Sequence, residues 1–217
     1  EALSNLGNIL IDLGQLQEAE IATRKAIKLK PDFAEAHSNL GNILSILGEL
    51  KPAELSLRKA IKLKPDSAEA HNNLAHLLLK SMDFDEGWKH MEWRWNKNNN
   101  KSGLIGERLN TNKPQWEPGE KNHVLLWQEQ GIGDAILFTT LIPDFLEKVD
   151  KLLVKIDKRL IQLLKRSFDN SKIHFISKDS NLNESEYDSH ISIVSLAQFL
   201  RPTLESFVKC KKFKIKV

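Results

Sequence analysis

The nine residues RKAIKLKPD occur at positions 24–32 and again at 58–66, and this duplication limits the possible fold more than anything else in the 217-residue chain. A block that recurs unchanged at a 34-residue offset implies a supersecondary unit stacked on a copy of itself, because one such unit cannot bury its apolar face alone. Within one period the apolar residues fall at helical spacing on two successive segments. Leu40, Gly41 and Leu44 share the first helix, Ala53, Leu57 and Ala60 the second, and Pro65 closes the unit. Gly41 and Ala53 are small enough to let two helix backbones approach, with Leu40, Leu44 and Leu57 filling the seam. Gly14 and Gly48 supply the left-handed residue that ends each first helix. Pro31 and Pro65 cannot continue a helix and so end each second one.

These residues, position by position, resemble the tetratricopeptide-repeat signature, which implies an α-helical solenoid for residues 1–97. Repeat one spans 1–33, repeat two 34–67 and repeat three 68–101. The third is degenerate: Ala75 stands where the glycine falls, Gly87 where the alanine falls, and no proline closes it. A unit of that kind caps an array or joins it to another domain. Glu1 sits at the second position of a repeat, so further repeats are expected upstream in a longer native protein.

Asn5, Asn39 and Asn73 recur at one position of the first helix, with Asn8, Asn42 and His76 three residues further on. Spacing of i, i+3 puts both rows on one face. An amide donates and accepts, as a peptide group does, so such a row can hold an extended peptide by its backbone. The same pattern also fits the wet side of an amphipathic helix, and periodicity leaves both readings open. The segment AEAHSNLGNILSILGELKPAELSLRKAIKLKP resembles the repeats of O-GlcNAc transferases, whose superhelix carries an asparagine row at the position held here by Asn5, Asn39 and Asn73. That resemblance implies a peptide or protein partner in the concave groove.

Beyond the repeats, Trp88, Trp93 and Trp95 lie at helical spacing, where they serve either as the seam to a following domain or as a platform for a sugar or base. Residues 98–121 carry no periodic apolar face and read as a linker, with Pro114, Trp116, Pro118 and Gly119 as turn chemistry. From 122 to 217 short apolar runs alternate with helical ones. Strands are expected at 124–127, 151–156, 173–176 and 190–194, helices at 134–149 and 159–167, and a helical turn at 196–200. That order implies a parallel sheet with right-handed crossovers, a Rossmann-like α/β half-domain. Pro143 should kink or split the first of these helices near Leu141.

The run VLLWQEQGIGDAILFTTLIPDFLEKVDKLLVKIDKRLIQLLKRSF resembles the start of the glycosyltransferase domain that follows tetratricopeptide repeats in many bacterial proteins, and heptosyltransferases share the pattern. DSHISIVSLAQFLRPTLESF resembles the fourth strand of that domain and the loop after it. The likeness covers about 122 to 208. It implies the first half of a two-domain (GT-B) glycosyltransferase that shapes the acceptor side. The nucleotide-sugar donor belongs to a second domain expected only in a full-length form, and this chain alone is expected to be inactive.

The corner at residues 128–134 carries the candidate chemistry, with Gly131 and Gly133 as candidate substrate-binding residues. A dinucleotide fingerprint would need a third glycine, which is missing. Asp134 would repel the anion that a helix N-terminus attracts, which argues against a phosphate cradle. The resemblance instead implies Asp134 as the base that takes a proton from the acceptor hydroxyl. Glu129 is the second candidate, equally able to be a solvated loop residue. Capping of the helix by Asp134 is the structural alternative.

Composition excludes several other classes. With 41% hydrophobic and 28% charged residues the chain has the make-up of an ordinary soluble protein, and no apolar run reaches the roughly 20 residues of a membrane span. The single cysteine, Cys210, rules out an internal disulfide framework and fits a cytoplasmic setting. Seven histidines show no zinc spacing, so no metal site and no cofactor are expected in this chain. His37 and His71 occupy one repeat position and read as packing residues. The lysine-rich tail, Lys209 to Lys216, reads as a solvated end, so no nucleic-acid partner is expected. The rival to the transferase reading is a non-enzymatic interaction scaffold.

Overall fold

The structure, a computed structural model, describes residues 2–96, 108–212 and 214–216. It divides into two compact units, Glu1–Lys101 and Ser102–Val217. The first part of the expected linker, 98–107, lies outside the described residues.

The first unit is a stack of three helix pairs: α1 (Ala2–Asp12) with α2 (Leu16–Leu29), α3 (Ala34–Leu47) with α4 (Leu50–Leu63), and α5 (Ala68–Lys80) with α6 (Phe84–Met91). A 3-10 turn, Glu92–Trp95, follows α6. Its core is the seam of leucines that the repeat pattern predicts, Leu40, Leu44, Leu57, Leu74, Leu77 and Leu78, around Ala53. Gly41 is obligatory there, since a β-carbon would stand 2.4 Å from Leu57 Cγ. The first helices α1, α3 and α5 pack directly on one another, whereas α2 packs on α1 and α3, and α4 on α3 and α5, with little contact between α2 and α4. The first helices therefore form the closely spaced inner layer and the second helices the splayed outer one.

Gly48 ends α3 at φ 87°, its N–H donating to the carbonyls of Leu44 and Ser45. The corresponding residue of the third repeat is Met82, which adopts φ 65° without being glycine. Repeat three thus keeps the turn after losing the residue that makes it easy. It also keeps a small residue at the helix contact, moved from the first helix to the second: Ala75 is fully buried, and a β-carbon on Gly87 would meet Leu79 at 2.9 Å.

The second unit is built on a four-stranded parallel sheet of order β3-β2-β1-β4, with β1 His123–Trp127, β2 Lys151–Ile156, β3 Ile173–Ser177 and β4 Ser189–Ser192. In register, Leu125 pairs with Leu153 on one side and His190 on the other. Runs such as Leu152, Leu153 and Val154 are buried on both faces, which is why they show no alternation. The helices α7 (Ile132–Phe138), α8 (Ile142–Phe145), α9 (Lys158–Ser167), α10 (Ala197–Leu200) and α11 (Leu204–Val208) connect and follow the strands. The single helix expected at 134–149 is split by a 3-10 turn at Thr139–Leu141, and Pro143 sits in the first turn of α8, where its missing N–H costs nothing.

Residues 108–121, expected as linker, belong to the second unit. Gln115 bridges to His190 in parallel register. The His190 N–H donates to the Pro114 carbonyl at 3.0 Å, and the Trp116 N–H to the His190 carbonyl at 2.8 Å. Trp116 is fully buried, edge-on to Phe145 and Phe199 with ring centroids 4.9 and 5.7 Å away. A single bridge followed by a buried indole has no periodicity, so pattern reading passes over it. The lysine-rich tail is exposed yet tied back: the Lys211 N–H donates to Asp144 at 3.0 Å, its ammonium pairs with Glu147, and the Lys216 N–H donates to Ser167 Oγ at 3.0 Å.

Candidate functional site

The asparagine row lies on the inner layer, but its members differ in situation. Asn39 is only 5% exposed, and its amide N–H group donates to Ser4 Oγ at 3.0 Å. Asn73, half-buried, donates in the same way to Ser38 Oγ at 3.3 Å. Each asparagine is thus tied to the serine that precedes the equivalent asparagine of the previous repeat, forming a ladder of bonds between stacked first helices. Asn5, in the first repeat, is exposed. The row three residues on is freer: Asn8 and His76 are exposed and Asn42 half-buried. An amide that spends one N–H on a seam keeps a second N–H and its carbonyl oxygen for other partners.

The histidines, expected to be mere packing residues, do more. His37 Nε2 meets the Pro31 carbonyl at 2.9 Å, and His71 Nε2 meets the Pro65 carbonyl at 2.9 Å. Each ties the first turn of a first helix to the proline that ends the preceding second helix. Because a carbonyl only accepts, Nε2 of each carries the hydrogen. His71 Nδ1 then accepts from His90 Nδ1–H at 2.7 Å, which turns His90 Nε2 toward Glu86 Oε1 at 3.5 Å. The Glu86 carboxylate takes both terminal nitrogens of Arg58, at 2.8 and 2.7 Å, and the Trp93 indole stacks on His71 at 3.8 Å with a 2° interplanar angle. Burial pushes both imidazoles below their usual pKa, with the neighbouring His71 adding to the effect on His90 and Glu86 opposing it. Sequence spacing gave no sign of this cluster. The available signal was the departure from the repeat, since His90 and Trp93 stand where repeat two has Ser56 and Lys59.

In the second unit residues 128–134 leave the carboxyl end of β1. The chain passes from β1 outward to β2 and β3, then returns to β4 on the other side of β1. The corner therefore lies at the point where strand order reverses, where ligands gather in open parallel sheets. Gln128 is a structural residue, its carbonyl accepting from the Asp157 N–H and its amide donating to the Gln130 carbonyl, both at 2.8 Å. Glu129 is buried. Gly131 is the N-cap of α7, Gly133 faces open space, and Asp134 is exposed in the first helical turn.

The capping alternative for Asp134 is corrected: α7 begins at Ile132, the cap is Gly131, and no side-chain cap bond forms. A seven-residue helix whose first turn carries a carboxylate gains a modest dipole interaction from it. Across the reversal point, Ser192 Oγ at the end of β4 donates to Ser195 Oγ at 2.8 Å, both groups buried. His190, in the middle of β4, accepts from Trp127 Nε1–H at 3.2 Å, and burial holds its pKa down.

Asp157, buried at the end of β2, caps α9 and accepts from the Arg159 guanidinium at 2.9 Å on each oxygen. Those bonds hold its pKa far below the usual carboxylate range. Among the described residues, no three His, Cys, Asp or Glu side chains converge on a metal position, and no helix is long and apolar enough to cross a membrane.

Comparison with known proteins identifies the repeats. The family model described as TPR repeat matches residues 7–48 and 41–81, so that stretch consists of tetratricopeptide repeats. No curated protein matches the chain. Among solved structures the chain is similar to pilF of Pseudomonas aeruginosa, at 26% identity over 45% of this chain and 44% of that one, with a TM-score of 0.43. The chain therefore spans less than half the length of that protein. It is also similar to the first TPR of Spaghetti (RPAP3) bound to the HSP90 peptide SRMEEVD, at 20% identity over 46% and 80% of the two chains and a TM-score of 0.43. The TPR2B domain of yeast Sti1 in its pHsp70 complex gives 19%, over 48% and 89%, with a TM-score of 0.43.

Proposed function

We propose that the repeat unit is a protein-interaction module that holds an extended segment of a partner along its first helices. The observation that carries this reading is the row of Asn8, Asn42 and His76, which recurs on the face beside the serine–asparagine seam and is not consumed by it. Asn5 extends that face at one end. Asn39 and Asn73 support it from beneath, each offering its remaining amide atoms. The test is to select peptides with the intact chain and remeasure them against Asn5→Ala/Asn8→Ala/Asn42→Ala. Each lost hydrogen bond weakens binding by about 0.5–1.5 kcal/mol while the helical signal stays intact. Unchanged affinity in a folded triple variant refutes the reading.

A second reading is favoured by where residues 128–134 lie, at the strand-order reversal of a parallel sheet. In it the second unit shapes the acceptor side of a sugar transferase, in a reducing, cytoplasmic setting, with a nucleotide-sugar bound by a further domain. Asp134 takes the acceptor proton, and buried Glu129 is the alternative. Exposure at the mouth of the corner suits Asp134 to meeting a hydroxyl. In a chain that also carries a donor-binding domain, Asp134→Asn lowers the transfer rate by roughly 10²–10⁴ with little change in melting, because the residue is not the helix cap. Transfer at the parental rate removes Asp134 from the reaction.

A further inference from the structure

The outer face of the first unit has two grooves between successive second helices, built from equivalent residues. In the groove between α4 and α6, Arg58 binds Glu54 through Nε at 2.8 Å and Glu86 through both terminal nitrogens, while Trp93 lies flat on His71. In the groove between α2 and α4 the same parts are present. Arg24 binds Glu20 through Nε at 2.7 Å, and His37 is fixed by the Pro31 carbonyl just as His71 is by that of Pro65. The fillers are missing. Pro52 stands where Glu86 stands, Ser56 where His90 stands and Lys59 where Trp93 stands. What remains is an open cavity of about 410 Å³ lined by Arg24, Ile27, His37, Leu40, Leu55 and Lys59, with Lys28 and Ser56 at its sides.

Three properties of that cavity describe what fits it. Its floor is apolar, and Leu55 on its wall is 72% exposed, a large apolar side chain left in water. Among the described residues, Arg24 pairs with Glu20 through Nε only, leaving its terminal nitrogens without a hydrogen bond, and neither Lys28 nor Lys59 forms an ion pair, so the rim keeps two uncompensated ammonium groups beside an open arginine fork. The chain's own filled groove shows which groups satisfy such a socket: a carboxylate on the arginine fork and an indole on the histidine face.

We propose that the α2–α4 groove is a docking socket for a partner segment that presents an aromatic ring to His37 and carboxylates to Arg24 and Lys59. The ring displaces water from Ile27, Leu40 and Leu55, and the carboxylate forms the same two-pronged pair with Arg24 that Glu86 forms with Arg58. This site lies on the outer layer and does not rest on the inner-face reading above.

The test uses the isotope-labelled 217-residue chain titrated with acetyl-Glu-Glu-Trp-Glu-Glu-amide and followed by amide NMR shifts. The expected result is saturable shifts around Arg24, His37 and Lys59. Binding should weaken at least about tenfold when the tryptophan of the peptide is replaced by alanine, and roughly tenfold for Arg24→Gln. Plugging the groove with the residues of its neighbour, Ser56→His with Lys59→Trp, should abolish it. If the plug disturbs the fold, Arg24→Gln and the alanine peptide decide alone. No shifts in the groove, equal binding of the alanine peptide, or shifts confined to Asn5, Asn8 and Asn42 overturn the proposal. So does self-association of the chain that closes the groove with a second copy.

Discussion

Removing the bond between Asn39 and Ser4 separates two roles for the asparagine row, because Asn39→Ala and Asn5→Ala delete the same amide from the same repeat position in different surroundings. Both substitutions gain helix propensity, roughly 0.5 kcal/mol. Asn5 is exposed and has no seam partner among the described residues, so Asn5→Ala should be neutral or slightly stabilising. Asn39 gives up the 3.0 Å bond to Ser4 Oγ, and its second approach, 3.5 Å to the Ser4 carbonyl, is too long to add much. One buried hydrogen bond contributes about 1 kcal/mol, and the truncation also leaves a small void at a site that is 5% exposed. Asn39→Ala should therefore be less stable than Asn5→Ala by about 1–2 kcal/mol, or roughly 4–8 °C per kcal/mol in melting temperature for a unit of this size.

A double-mutant cycle with Ser4→Ala removes propensity from the comparison and should give a coupling of about 0.5–1.5 kcal/mol. Urea unfolding followed by far-ultraviolet circular dichroism measures the four variants. Amide exchange locates the effect, which should appear as faster exchange in α1, because the lost bond belongs to the contact between repeats one and two. Coupling below about 0.3 kcal/mol, the level at which unrelated sites already add, refutes the seam role.

Met82 holds φ 65° while mostly exposed, so Met82→Gly should relieve the left-handed strain without losing packing and stabilise the unit by roughly 0.5–1 kcal/mol; a lower urea midpoint contradicts this. His71 and His90, facing each other beside Glu86 and Arg58, have folded-state pKa values lowered mainly by burial. The unfolded chain therefore takes up protons first, so stability of the first unit is full above about pH 6.5 and declines beneath it. A urea midpoint that stays flat between about pH 7.5 and about pH 5.5 refutes that assignment. Trp116→Ala should cost about 3–5 kcal/mol and unfold the second unit selectively, seen as loss of exchange protection in β1 and β4, whereas a freely moving linker would show no effect.

The sequence by itself determined what depends on local spacing. Identical blocks one period apart dictate stacked helix pairs, since the 3.6-residue spacing of Leu40, Leu44 and Leu57 leaves each pair an apolar seam only a copy of itself can cover. β2 was legible to the residue because a run buried on both faces, ended by the Asp157 cap of α9, has no competing pattern. The split at Leu141 followed from Pro143 alone. Tertiary structure decided what depends on groups far apart in the chain. Whether Asn39 meets a ligand or Ser4 turns on how closely α1 and α3 stack. The His71–His90–Trp93 cluster exists because α6 and its 3-10 extension fold across α5, bringing together residues with no shared period. Trp116 entered the core because β4 lies beside β1 with a free outer edge, and the backbone N–H and carbonyl of His190 there needed partners that residues 114–116 supply. Local periodicity is written in the chain by the geometry of one helix or strand, whereas the pairing of edges, faces and buried polar groups is fixed only when separate elements satisfy one another.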